Sequence, residues 1–146
     1  MMEIAIQVLA AAVGTIAFSV LFSVPKQYYG FCGICGGAGW LVYALLVPSL
    51  SVPVATFFAT VLVIFLSRIF AMTEKCPATV FLTTGIFPLV PGVGLYWTTY
   101  YTVTEQMDLA LANGVLALQS AVAIVLGIVV VFELPQRFFV WIFSKS

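Results

Sequence analysis

The residues with the clearest chemical potential are Pro88, Pro91, Gly92, Val93 and Gly94, in the run FPLVPGVG that interrupts a long apolar stretch. Proline removes an intrahelical hydrogen bond, and glycine leaves the backbone loose. In hydrocarbon, the N–H and C=O groups freed by such a break are costly unless protein, water or a ligand satisfies them. A helix restarting after the break, near Leu95, would present unpartnered N–H groups and the positive end of its dipole. That is an anion site of the kind a small carboxylate fills. Thr83, Thr84, Thr98 and Thr99 stand near enough to add hydroxyls, although threonine also bonds its own helix backbone. A Pro-kinked packing helix without any ligand accounts for the same residues. Both readings stand at this point.

Other chemistry has little to build on. Histidine is absent, and with it the commonest metal ligand and proton shuttle. Cys32 and Cys35 form a CxxC pair, but they lie in an apolar, glycine-rich run, with Cys76 apart from them. Small buried cysteines explain that setting better than redox or metal chemistry. There is no GxxxxGK[ST] loop for ATP and no GxSxG nucleophile motif, so neither ATP hydrolysis nor an intramembrane enzyme is indicated. Glu105, Asp108 and Glu133 fall near the ends of apolar runs, which makes none of them a convincing proton carrier. No cofactor and no metal are expected. Net charge is zero without a basic block, which argues against a nucleic-acid partner.

The elements that must position the break follow from composition. Of 146 residues, 64% are hydrophobic and 7% charged, against about 25% charged in a soluble domain. No polar stretch is long enough for a separate soluble domain, so an all-α, polytopic transmembrane domain covering residues 1–146 is expected, with five spans. They fall at about residues 4–24, 28–47, 54–72, 78–103 and 111–132. Met1-Met2-Glu3 lacks a basic n-region, so the first run reads as a span rather than a signal peptide. Tyr28, Tyr29 and Phe31 read as an aromatic belt at the membrane surface. Gly33, Gly36 and Gly37, with Gly30 and Gly39, predict close packing of the second span against a neighbour. A glycine-lined passage is the other reading.

Arg68 lies about one turn from the Glu74-Lys75 loop, where its side chain can snorkel to the headgroups. The fourth span breaks at Pro91 to Gly94, its first half too short at ~20 Å to cross ~30 Å of hydrocarbon alone. Thr104 is a candidate cap for the fifth span, in which Asn113, Gln119 and Ser120 are polar. An interhelical hydrogen bond is expected of Gln119. Residues 136–143, with Arg137, Trp141 and Lys145 nearby, read as an interfacial tail. Lys26, Arg68, Lys75, Arg137 and Lys145 all fall on one side of a five-span layout. The positive-inside rule then places the N-terminus outside and the C-terminus in the cytoplasm.

Three stretches resemble the threonine/serine exporter family, specifically its smaller second half. PATVFLTTGIFPLVPGVGLYWT, from Pro77 to Thr98, carries the most specific pattern; GTIAFSVLFSVPKQ and the glycine run ending at Gly39-Trp40 carry the others. The resemblance implies a secondary transporter module that moves small amino acids or small organic acids outward across the cell membrane. It also implies a larger membrane subunit as partner, with self-association as an alternative or addition. Thr84, Pro88, Pro91, Gly92, Val93, Gly94, Tyr96 and Thr98 become the substrate-binding candidates. Many relatives carry arginine after the tyrosine of the last motif; Trp97 stands there in this chain. A side-chain cation for the substrate is therefore missing at that position. With few spans to enclose a path, a second copy or partner must complete it, and an ion gradient is the default energy source. The competing expectation is a non-transporting subunit that stabilises a larger membrane protein, for which the glycine-rich span would serve as well.

Overall fold

The computed structural model describes residues 2–134, and these are helical throughout their ordered elements. Helix α1 spans Met2–Leu21, and a 3-10 turn over Lys26–Tyr28 leads into α2, Tyr29–Leu46. Helix α3 spans Val52–Glu74, with Pro53 in its first turn, where a missing N–H is harmless. The broken segment consists of α4, Thr79–Gly85, a 3-10 turn at Phe87–Leu89, and α5, Gly92–Val103. Helix α6, Met107–Phe132, closes the described chain. The expected tail at residues 136–143 lies outside the described residues.

Four helical stretches are long and apolar enough to cross a membrane: α1, Lys26–Leu46, α3 and α6. The segment Thr79–Leu89 plus Gly92–Val103 qualifies as a fifth, bent by 47°. Packing decides whether that segment crosses or turns back. Thr60 of α3 meets Gly127 of α6, and Arg68 reaches Val131 and Leu134. Contacts thus advance in the same direction along both helices, which makes α3 and α6 parallel. A re-entrant α4–α5 pair would have returned the chain to the end it left and made them antiparallel. The broken segment therefore traverses the bundle once, giving five crossings of an all-helical, multi-pass membrane protein. Lys26, Arg68 and Lys75 lie at one end of that bundle.

Helix interfaces are built from small residues. A Cβ on Gly36 would overlap Thr15 Oγ1, one on Gly33 would lie 3.0 Å from Ile16 Cδ1, and one on Gly37 3.3 Å from Ala12 Cβ. A Cβ on Gly39 would overlap Val63. The glycines of α2 thus seat it between α1 and α3, as expected of small residues where apolar burial alone gives no drive between helices. Seven buried hydroxyls, among them Thr15, Ser19, Thr60 and Ser67, donate to carbonyls of their own helices. No buried side-chain polar atom among the described residues is left without a partner. Leucines and valines instead cover the outside, with Leu9, Val13, Leu118 and Val125 among the exposed.

Helices α1, α3 and α5 end alike. Ser23, Lys75 and Glu105 adopt left-handed backbone with φ of 57°, 53° and 60°. The next residues, Val24, Cys76 and Gln106, donate back to Ser19, Ala71 and Tyr101, the six-to-one bond of a Schellman motif. This end explains two departures from expectation. Thr104 caps the C-terminus of α5, with Oγ1 on the Tyr100 carbonyl at 3.0 Å, rather than starting the next helix. The connection then shrinks, and α6 begins at Met107 instead of residue 111, with Asp108 in its first turn where the dipole favours a carboxylate. The first span likewise stops at Leu21 rather than residue 24.

The aromatic belt is corrected as well. Tyr28 is buried with its ring edge-on to Phe81 at 5.5 Å, and Phe31 packs on Phe70 at 5.0 Å. These rings close the core between α2, α3 and α4. Cys32 and Cys35 sit fully buried beside them as free thiols, Cys32 Sγ 4.0 Å from the Val80 carbonyl and Cys35 Sγ 3.9 Å from Ser67 Oγ. In the loop, burial pushes the Cys76 thiol above its ordinary value.

Candidate functional site

The break is narrower than its sequence suggests. Pro88 is accommodated by the 3-10 turn, where Leu89 N–H bonds the Ile86 carbonyl at 2.8 Å. The chain leaves helical geometry only at Val90, which is extended, and at Pro91, with φ −75° and ψ 51°. There Gly92 N–H bonds back to the Val90 carbonyl at 2.7 Å, two residues away. Helix α5 starts at once, so Gly92, Val93 and Gly94 form its first turn rather than an unwound linker ending near Leu95. Leu95 N–H is the first to reach back normally, to Pro91 at 3.1 Å. The N–H groups of Val93 and Gly94 belong to the set that a helix start leaves without intrahelical partners.

A cavity of about 300 Å3 opens beside this turn. One wall is the break itself, Pro88 to Pro91 with Val93 and Gly94. Trp40 and Tyr43 of α2, Thr56 of α3, Trp97 of α5, and Asn113 and Ser120 of α6 supply much of the rest. No charged side chain lines it. Helix α6 comes close because Gly94 is small: a Cβ there would lie 3.1 Å from Ala117 Cβ. A second cavity of about 350 Å3 lies on the α1 side, between Gln7, Gly14, Phe18 and Phe87. Trp40 and Pro88 form walls of both, and Trp40 Nε1 donates to Gln7 Oε1 at 3.3 Å.

Polar groups around the first cavity divide by type. Thr56 Oγ1 donates to Val52 at 2.8 Å, Ser120 Oγ to Leu116 at 2.9 Å, and Asn113 Nδ2 to Leu109 at 2.8 Å. The Thr56 and Ser120 hydroxyls thus spend their donors within their own helices, Asn113 keeps one further amide N–H, and all three oxygens keep acceptor capacity. Further donors stand at the cavity: the first-turn N–H groups of α5, the Tyr43 hydroxyl and the Trp97 indole. A ligand bearing an anion and a cation a few ångströms apart meets both donors and acceptors in this lining.

The expected site residues distribute unevenly over this geometry. Pro88, Pro91, Val93 and Gly94 line the cavity. Gly92 faces open space, with nothing within 4 Å of a Cβ built on it. Thr84 is buried elsewhere, its Oγ1 turned to Val80 and Phe81. Thr98 donates to Gly94 at 2.7 Å and packs on Gly114 of α6. Tyr96 lies on the outside, stacked on Tyr100 at 6.4 Å. Trp40, Tyr43 and Thr56 complete the site without having stood out in the sequence. Asn113 and Ser120 were visible as polar interruptions of the last span. Arg68 takes no part: it does not line the cavity, and its guanidinium bonds the carbonyls of Val131 and Leu134 at the end of α6.

Comparison with known proteins gives a consistent frame. The family model described as "Threonine/Serine exporter, ThrE" matches residues 7–133. A Haemophilus influenzae protein, named only as uncharacterized, is 30% identical over 97 residues, covering 66% of this chain and 33% of that protein. The chain thus spans about a third of the length of this curated relative. No solved structure matches.

Proposed function

The chain belongs to the threonine/serine exporter family, and from that premise we propose that it is half of a secondary transporter exporting small amino acids. The family is one of transporters, and the helical bundle provides a membrane-spanning body for that work. The observation that carries the reading is the cavity at the break, lined by both N–H donors and uncharged acceptor oxygens. Backbone donors of α5 suit a substrate carboxylate without any arginine, which fits Trp97 at the position where relatives have that cation. The acceptor oxygens of Thr56, Asn113 and Ser120 suit an ammonium group. The cavity is at the small end of the usual ~300–1,000 Å3 range for ligand pockets, appropriate to a metabolite of few heavy atoms. Small organic acids would use only the donors and bind less well.

A larger membrane subunit of the same family completes the path, with an ion gradient as the energy source. The extra length of the Haemophilus influenzae relative leaves room for such a second unit in one chain. The glycines of α2 are engaged by α1 and α3 within the chain, which removes the main support for a purely adhesive subunit.

The test is counterflow in proteoliposomes holding this chain with the larger subunit, either protein alone, or neither. Labelled serine or threonine should exchange only with both present. The amide, which lacks the carboxylate, and the 2-hydroxy acid, which lacks the ammonium, should each compete poorly. Equal flux from the larger subunit alone would make this chain an accessory, and no amino-acid flux from the assembled pair would refute the proposal.

A further inference from the structure

Gln119 sits at the middle of α6, the most apolar of the helices. At 1.5 Å per residue it lies ~18 Å from either end of that helix, in the centre of the hydrocarbon. An interhelical hydrogen bond is expected of it, and no described helix of this chain supplies one. Instead its side chain is exposed on the outer surface and makes no hydrogen bond to any described residue. The reason is register: Ala117 and Ser120 face inward, turning Gln119 away. A carboxamide left among lipid tails has donors and acceptors with nothing to bond.

The face around it has a regular spacing. Ala112, Val115, Gln119, Val122, Leu126 and Val129 follow one another at intervals of three and four, and all are exposed. That is the a/d seam of a two-helix interface, apolar apart from one central amide. A single polar residue at an a position is the device that fixes register and partner number in such seams. No charged residue interrupts it between Asp108 and Glu133.

We propose that this face of α6 joins two copies of the chain in parallel, with the two Gln119 carboxamides hydrogen-bonded to each other at the membrane centre. A two-fold axis along the membrane normal brings each seam residue to its own counterpart at equal depth. A carboxamide is self-complementary, since its NH2 donates and its oxygen accepts. Any other partner would need a polar side chain placed at the same depth; a second copy supplies it by symmetry. Each copy keeps its cavity at the break, on the far side of α6 from the seam.

Cross-linking in native membranes, with the larger subunit co-expressed, tests this. On a background with Cys32, Cys35 and Cys76 replaced by alanine, single cysteines are placed at 115, 119, 122 and 126, and at the flanking positions 118 and 125. Oxidation should give a product of twice the chain's mass from the first four and little from the last two. Gln119→Leu should weaken self-association of the detergent-purified protein by roughly 3- to 30-fold, the scale of one interhelical polar contact. Gln119→Asn should retain most of it. Thermal unfolding of the Gln119→Leu monomer should be unchanged, because the side chain is exposed and makes no hydrogen bond to a described residue of its own chain. Cross-links without this periodicity, products containing only the larger subunit, or undiminished dimerisation of Gln119→Leu would overturn the proposal.

Discussion

Arg68 Nη1 lies 2.6 Å from the carbonyl oxygen of Val131 and 3.0 Å from that of Leu134, so a cation on α3 closes the C-terminal end of α6. Its guanidinium carbon also sits 5.7 Å from the centre of the Phe132 ring. The end of a helix carries partial negative charge and unsatisfied carbonyls, and a charge-assisted donor there serves both. Arg68→Leu should lower stability by about 2–3 kcal/mol, and Arg68→Lys by roughly half that, given the usual strength of hydrogen bonds to charged groups. Thermal unfolding in detergent reads both. An unchanged midpoint in the leucine variant would show that the contact contributes nothing to the bundle.

Between α1 and α2 the tightest point is Gly36 against Thr15, with Gly37 against Ala12 less strained. Gly36→Ala should therefore destabilise by about 1–3 kcal/mol through overpacking, and Gly37→Ala by clearly less. Thr15→Gly added to Gly36→Ala should recover part of the loss by making room. Protease resistance in membranes is a suitable measurement. Equal effects of the two single alanine variants would contradict the contact geometry.

These residues also mark how far the sequence could be read. The spans were legible because apolar length and Pro, Gly and charge boundaries are local properties. So was the glycine packing of α2, since five small residues in one stretch leave few other uses. The bonds of Arg68 were not legible, because its partner, the end of α6, is more than sixty residues away. The outward placement of Gln119 was not legible, because hydropathy ignores which side of a helix faces in. For the cavity, the break announced one wall, but Trp40, Tyr43 and Thr56 reach it only through helix packing. Tyr96 and Thr84 belong to the same motif as the break and lie away from this cavity.

The left-handed caps offer a separate test. None of the eleven glycines has positive φ, while Ser23, Lys75 and Glu105 do. Left-handed backbone costs roughly 1–2 kcal/mol for a residue with a Cβ. Glu105→Gly should thus raise stability by about 1 kcal/mol, net of the chain entropy glycine adds, whereas Glu105→Ala should not. A lower unfolding midpoint for the glycine variant would count against the cap.

Topology is accessible to labelling. We expect cysteine at Asp108 to react with an impermeant maleimide from outside the cell, and cysteine at Lys26 or Lys75 only after the membrane is opened. Cysteine at Ser144 should behave like the latter pair. The parallel packing of α3 and α6 requires position 108 and positions 26 and 75 to lie on opposite sides. The positive-inside rule then chooses which side is which. Labelling of all of them from one side would contradict five crossings.

The final prediction concerns the turn at Val90 and Pro91. If the cavity binds a carboxylate through the first N–H groups of α5, transport depends on the backbone rather than on a particular side chain. Pro91→Ala with Gly92→Ala would favour continuous helix by ~3 kcal/mol for the proline and about 1 kcal/mol for the glycine. The N–H groups of Val93 and Gly94 would then find the carbonyls of Leu89 and Val90, four residues back, and be lost to the cavity. Space is no obstacle, because a Cβ on Gly92 meets nothing within 4 Å. The double variant should insert, fold and assemble at least as well as the parent, yet lose transport by tenfold or more. Gly92→Ala alone keeps the proline break and should transport nearly normally. Assembly with the larger subunit is measured in parallel, since a lost partner would also abolish flux. A folded, assembled double variant that transports at the parental rate would reduce the break to a packing kink.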